Sequence, residues 1–61
     1  MQPPTVREVI GRLEKEGYRK VNQVGSHRKF SNGARNVTIA GDKGENLKWE
    51  TWKRIQEQAG W

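Results

Sequence analysis

The chain of 61 residues has no cysteine and a single histidine. The lack of thiols excludes a disulfide scaffold, thiolate zinc sites and a cysteine nucleophile. One imidazole excludes a histidine-rich metal site. No apolar run exceeds two residues. Neither a membrane span nor a signal-peptide core is therefore expected, and the sequence reads as a soluble cytoplasmic protein with no membrane partner. The apolar share is 31%. That suffices for one pair of packed layers in a single domain, residues 1–61, with little surface left to enclose a cofactor, and none is expected.

Acidic residues are missing from one stretch. Between Gly17 and Gly41 stand five cations, Arg19, Lys20, Arg28, Lys29 and Arg35, and no acid. Outside that interval seven cations meet seven acids, so the net charge of +5 belongs to the middle of the chain. A one-sign surface built by one structural unit implies a polyanionic partner, nucleic acid first and an acidic protein second.

What is there reads as helix, three strands, helix. "MQPP" is a short unstructured lead. Thr5 and Glu8 form a capping box, and Val6, Val9, Ile10 and Leu13 make one apolar stripe, predicting a helix over 5–16 closed by Gly17. Glu8 and Arg12 have the spacing of a helical ion pair, as do Glu50 and Arg54 later. Gly11 sits mid-helix, where it weakens the helix but permits close packing. Strands are predicted over 19–24, 26–30 and 35–40, with Gly25 breaking the first pair and Asn32-Gly33 marking a hairpin in which both residues accept positive φ. The loop "GDKGEN" ends the sheet. Trp49, Trp52, Ile55 and Ala59 form the stripe of a helix over 48–59 capped by Gly60, with Trp49 and Trp61 candidates for exposure. The expected fold is α+β, a three-stranded antiparallel sheet with two helices on one face.

Alternation assigns the faces. Phe30, Val37, Ile39 and Val21 should point to the helices, leaving His27 and Lys29, Asn36 and Thr38, and Lys20 and Asn22 on the open face. Arg28 shares the parity of Phe30, which requires its strand to lie near an edge so that the side chain can snorkel past the core. An exposed histidine among cations favours its neutral form near pH 7, and a neutral imidazole can act as a general base. Bound phosphate would favour the protonated form. That is suitable chemistry for RNA cleavage, in which a base activates the ribose 2′-hydroxyl and an acid assists the leaving oxygen. The plainer reading of a lone strand histidine is a polar surface residue, and of a Trp stripe, core.

"GSHRKF" at 25–30 resembles the Gly-Ser-His-x-x-Phe signature of the HicA family of bacterial mRNA interferase toxins. "REVIGRLEKEGY" is similar to that family's first helix, "ARNVTIAG" to its third strand and "LKWETWKRIQEQAGW" to its closing helix. The resemblance covers nearly the whole chain. It implies a double-stranded-RNA-binding-domain-like α-β-β-β-α fold, metal-independent endoribonuclease activity on mRNA, and neutralisation by a HicB-type antitoxin. It places His27 at the catalytic histidine, Gly25 and Ser26 at the turn of the motif and Phe30 at a core position. Lys20, Ser26, Arg28 and Lys29 are the RNA-binding candidates. The sequence departs from the family at Ala40-Gly41-Asp42-Lys43, where a proline and often a second histidine are usual. One imidazole must then be helped by Lys29 or water, or the activity is weak. Glu50 replaces a glycine, and Trp52 and Trp61 replace leucines. Two other readings stay open: a domain of the same fold that binds RNA without cutting it, and a basic face that serves only to dock an acidic protein.

Overall fold

The Glu8 amide donates to Thr5 Oγ1 at 3.1 Å, and the Thr5 amide donates to Glu8 Oε1 at 3.0 Å. This reciprocal cap starts helix α1, Val6–Lys15, in a computed structural model that describes residues 2–61. The Thr5 amide and hydroxyl hold the Glu8 carboxyl below the ordinary glutamate range. Val6, Val9 and Leu13 are buried along α1 as the stripe requires. At its end the Gly17 amide donates to the Glu14 carbonyl and the Tyr18 amide to the Leu13 carbonyl. Gly17 takes φ +90° to allow this, and Tyr18 enters the core beside Leu13.

Three strands follow: β1, Arg19–Val24; β2, His27–Ser31; β3, Asn36–Ala40. They form an antiparallel sheet in the order β1-β2-β3. The closing helix α2 is Trp49–Ala59, ended by Gly60 in the left-handed region. Phe30, Val37 and Ile39 from the sheet join Val6, Val9, Leu13, Tyr18, Leu47, Ile55 and Ala59 in one buried cluster. The order α-β-β-β-α and the open three-stranded sheet match the sequence expectation.

Several local expectations are corrected. The lead is tied down at residues 3 and 4: Pro3 is buried, its carbonyl accepts from Asn46 Nδ2 at 2.8 Å, and the Pro4 carbonyl accepts from the Leu47 amide at 2.9 Å. Met1 lies outside the described residues. Arg12 does not pair with Glu8, which the cap occupies. It pairs with Glu16 at 3.1 Å, its guanidinium lies 3.8 Å from the Trp61 ring centroid, and Trp61 Nε1 donates to Glu16 Oε1 at 2.8 Å. The Trp61 bond, with Arg12 assisting, lowers the Glu16 pKa against a smaller opposing effect of burial. That one is the ion pair present among the described residues; Glu50 and Arg54 do not form another. Trp49 leaves the α2 stripe and is 53% exposed, while Trp52 and Trp61 pack against the core.

The turns also differ from expectation. Gly25 and Ser26 form a two-residue turn between the paired Val24 and His27, so Ser26 lies in the turn and not in a strand. Gly25 has φ +59° and Ser26 stays at negative φ, the pattern of a II′ hairpin. The loop after Ser31 has four residues, because Ser31 pairs with Asn36. Only Gly33 takes positive φ there. Asn32 instead accepts the amides of Ala34 and Arg35 on its side-chain oxygen at 2.9 and 2.7 Å.

Candidate functional site

The faces of the sheet follow from the register. His27 pairs with Val24 on one side and Ala40 on the other, and Lys29 pairs with Asn22 and Thr38. Directly opposed residues share a face, so these six side chains lie on the face away from Phe30. His27, Lys29, Asn22, Val24 and Thr38 are exposed. No side-chain hydrogen bond or ion pair holds His27 among the described residues. Ser26 precedes it in the turn, with no side chain on Gly25 to shield either.

Lys20 does not join His27. The register slips between Lys20 and Asn22, leaving Val21 as the extra residue of a β-bulge. One extra residue inverts the alternation on its N-terminal side. Lys20 therefore pairs with the buried Phe30 and lies on the helix side. Val21, expected inward, is 58% exposed. The helices cover β2 and β3 but not β1, whose residues are all exposed. Lys20 Nζ donates to Gln23 Oε1 at 2.6 Å on that uncovered flank.

Arg28 lies on the helix side by parity, but β2 is the central strand and not an edge. Its charge is accommodated by backbone acceptors: Nη1 donates to the Gly41 carbonyl at 2.8 Å and reaches the Ser26 carbonyl at 3.4 Å. Lys20, Arg28 and Lys43 line a common hollow with Ile10, Glu14 and Phe30. No sequence signal marks Lys43, because it stands in a loop of mixed charge. The backbone places it, through the Arg7 amide donating to the Lys43 carbonyl at 3.0 Å. Arg35 goes to a third location, where Nη1 lies 3.4 Å from the Gln58 carbonyl near the end of α2. The five cations of the middle segment therefore do not build one surface.

A larger hollow lies elsewhere, between α1 and α2, where Pro3, Pro4, Val9, Arg12, Trp49 and Trp52 line it and no residue of the sheet does. Among the described residues no group of three or more His, Cys, Asp or Glu side chains is placed to hold a metal ion, and no helix is long and apolar enough to cross a membrane.

Residues 6–61 match the family described as the HicA toxin of bacterial toxin–antitoxin systems. The chain belongs to the HicA toxin family. No curated protein and no solved structure gives a significant match. Membership makes this HicA chain the toxin side of a toxin–antitoxin system and gives it an antitoxin as partner. Within the chain the exposed sheet end carrying Gly25, Ser26 and His27 is the place where the sequence motif and the open face coincide.

Proposed function

We propose that this HicA toxin is a metal-independent endoribonuclease acting on mRNA, with His27 as its general acid/base. The observation that carries the reading is that His27 stands exposed on the open face, with no side-chain partner among the described residues, in the Gly-Ser-His-x-x-Phe setting. A histidine that packed or bonded inside the protein would be explained by stability. This one is available to a ligand.

The chemistry follows from a single imidazole. Neutral His27 accepts the proton of a ribose 2′-hydroxyl. The 2′-oxygen attacks the adjacent phosphorus, the bond from phosphorus to the 5′-oxygen breaks, and that oxygen takes a proton from water or from the Lys29 ammonium. Lys29, two residues along the same face, offsets charge on the phosphate. Ser26 adds a hydroxyl beside the scissile group. A HicB-type antitoxin that covers this open face would stop the reaction, and a cytoplasmic setting supplies the mRNA.

The test is incubation of the purified toxin with a long mRNA in EDTA, beside His27→Ala. The expected result is cleavage by the wild type and a loss of at least about a hundredfold in the variant, with an unchanged melting temperature because His27 is exposed and unbonded. Equal cleavage by both proteins overturns the assignment. Binding without cleavage by either supports the second reading, an RNA-binding domain that does not cut, which the absence of a second imidazole favours.

A further inference from the structure

Two adjoining hollows lie on the helix side of the sheet, beside α1. One is lined by Arg7, Ile10, Gly11, Glu14 and Lys43. The other is lined by Lys20, Arg28 and Lys43 with Ile10, Glu14 and Phe30. Four cations thus converge on a surface with one acid, Glu14, and among the described residues none of them forms an ion pair. Asp42 and Glu45 flank Lys43 in sequence but line neither hollow. Gly11 lines the first hollow, and a Cβ built there would meet nothing within 4 Å. The close packing anticipated at Gly11 is absent, and the space above it is open.

This surface starts at the His27 end of the sheet, at Arg28, and runs along β2 to Lys20 opposite Phe30. Arg28 follows His27 directly and points to the opposite face, and its guanidinium is anchored on the carbonyl of Gly41, the residue after the His27 partner Ala40. The rim between the two faces is the exposed Gly25-Ser26 turn, which carries only a hydroxymethyl group. A chain passing over that rim meets the Gln23 amide, whose Nε2 donates to the Gly25 carbonyl at 2.9 Å, and the exposed Val24, both of which lie against the rim and not across it. A single RNA strand is flexible enough to turn round it and carries a charge on every phosphate. A folded acidic protein docked flat on one face would reach only part of the charge.

We propose that the RNA cut at His27 continues round the Gly25–Ser26 end of the sheet and seats a neighbouring phosphate among Arg7, Lys20, Arg28 and Lys43 over Gly11. The inference rests on the RNA-cleavage reading but is tested separately from it, by binding in a His27→Ala background where cutting plays no part. The ligand is a labelled single-stranded RNA of about twenty nucleotides, long enough to exceed one site. Affinity is measured against salt for His27→Ala, for the same protein with Lys20→Gln and Lys43→Gln, and for a charge-matched control with Lys53→Gln and Arg54→Gln on exposed positions of α2.

Removing Lys20 and Lys43 is expected to lower the slope of log affinity on log salt by about 0.7, the contribution of one phosphate contact to a single strand. The control is expected to keep the parent slope. Gly11→Gln, which fills the hollow without changing charge, is expected to weaken binding about tenfold while the melting temperature holds or rises. A slope change no larger than the control's, or full affinity in Gly11→Gln, overturns the proposal. So does loss of antitoxin binding with RNA binding intact, since the cations would then serve a protein. If the wild type cuts nothing but the slope still falls as stated, the phosphate surface stands and the catalytic assignment fails.

Discussion

Single residues decide more here than composition suggests. Val21 is the clearest case. As a bulged residue it puts Lys20 on the side of Phe30 and removes it from His27. Alternation read from the sequence placed His27, Lys29, Asn22 and Thr38 correctly, because β2 and β3 pair without interruption. It misplaced Lys20 and Val21 because a bulge has no signature in "RKVNQV". Arg28 was legible as an anomaly but not as a solution, since its acceptor is a main-chain carbonyl contributed by Gly41. Gly11 lies within α1 with open space about it, so Gly11→Ala should raise stability by about 0.5–1 kcal/mol. Thermal unfolding should register this as an increase of about 3–6 °C. A fall would mean that the glycine serves a packing role that the structure does not contain.

At the level of elements, both helices were legible because their ends are written in local chemistry. The Thr5–Glu8 box and Gly17 bound α1, and Gly60 bounds α2. At Gly60 the Trp61 amide donates to the Gln56 carbonyl at 2.8 Å, and φ is +75°. A Cβ there would also stand 2.8 Å from Arg35 Cζ. The guanidinium is the far end of a flexible side chain and can withdraw, so backbone conformation dominates. Gly60→Ala should therefore cost about 1–2 kcal/mol, read as a lower denaturation midpoint with an unchanged slope. The strands were legible in number and position but not in their turns. Asn32-Gly33 signals a hairpin, yet Asn32 uses its side chain to bond the loop and leaves positive φ to Gly33 alone. The α2 helix also protects the sheet: Gln58 Oε1 accepts from the Thr38 amide at 3.2 Å on the outer side of β3. The other edge, β1, has no such cover.

For the molecule as a whole, charge and stability are coupled through two glutamates. Glu8 closes the start of α1, and Glu16 ties α1 to Trp61. Both have pKa values lowered from the ordinary 4.5 in the folded state. A group with a depressed folded pKa contributes stability that is present above the unfolded value and lost as pH falls through the folded one. The melting temperature should therefore decline as pH drops from about 5 towards about 3, and the decline should be shallower in Glu16→Gln. A parallel decline in that variant would place the acid sensitivity elsewhere. The same whole-molecule view explains why the position of the charge in the sequence was a poor guide to its place in space. Five cations with no acid between them in sequence are divided by strand parity and one loop among the open face, the α1 flank and the end of α2.

The bulge has a consequence in coding terms. With Val21 removed, Tyr18 would lead into β1 as Arg19, Lys20, Asn22 in an uninterrupted pleat, with Tyr18 and Lys20 still turned to the helices and Asn22 still opposite Lys29. Val21 itself is largely exposed and contributes little burial. In-frame deletion of this one codon should leave a folded protein with both faces intact, whereas inserting one codon between Asn22 and Val24 would turn the whole N-terminal part of the strand over and force Tyr18 out of the core.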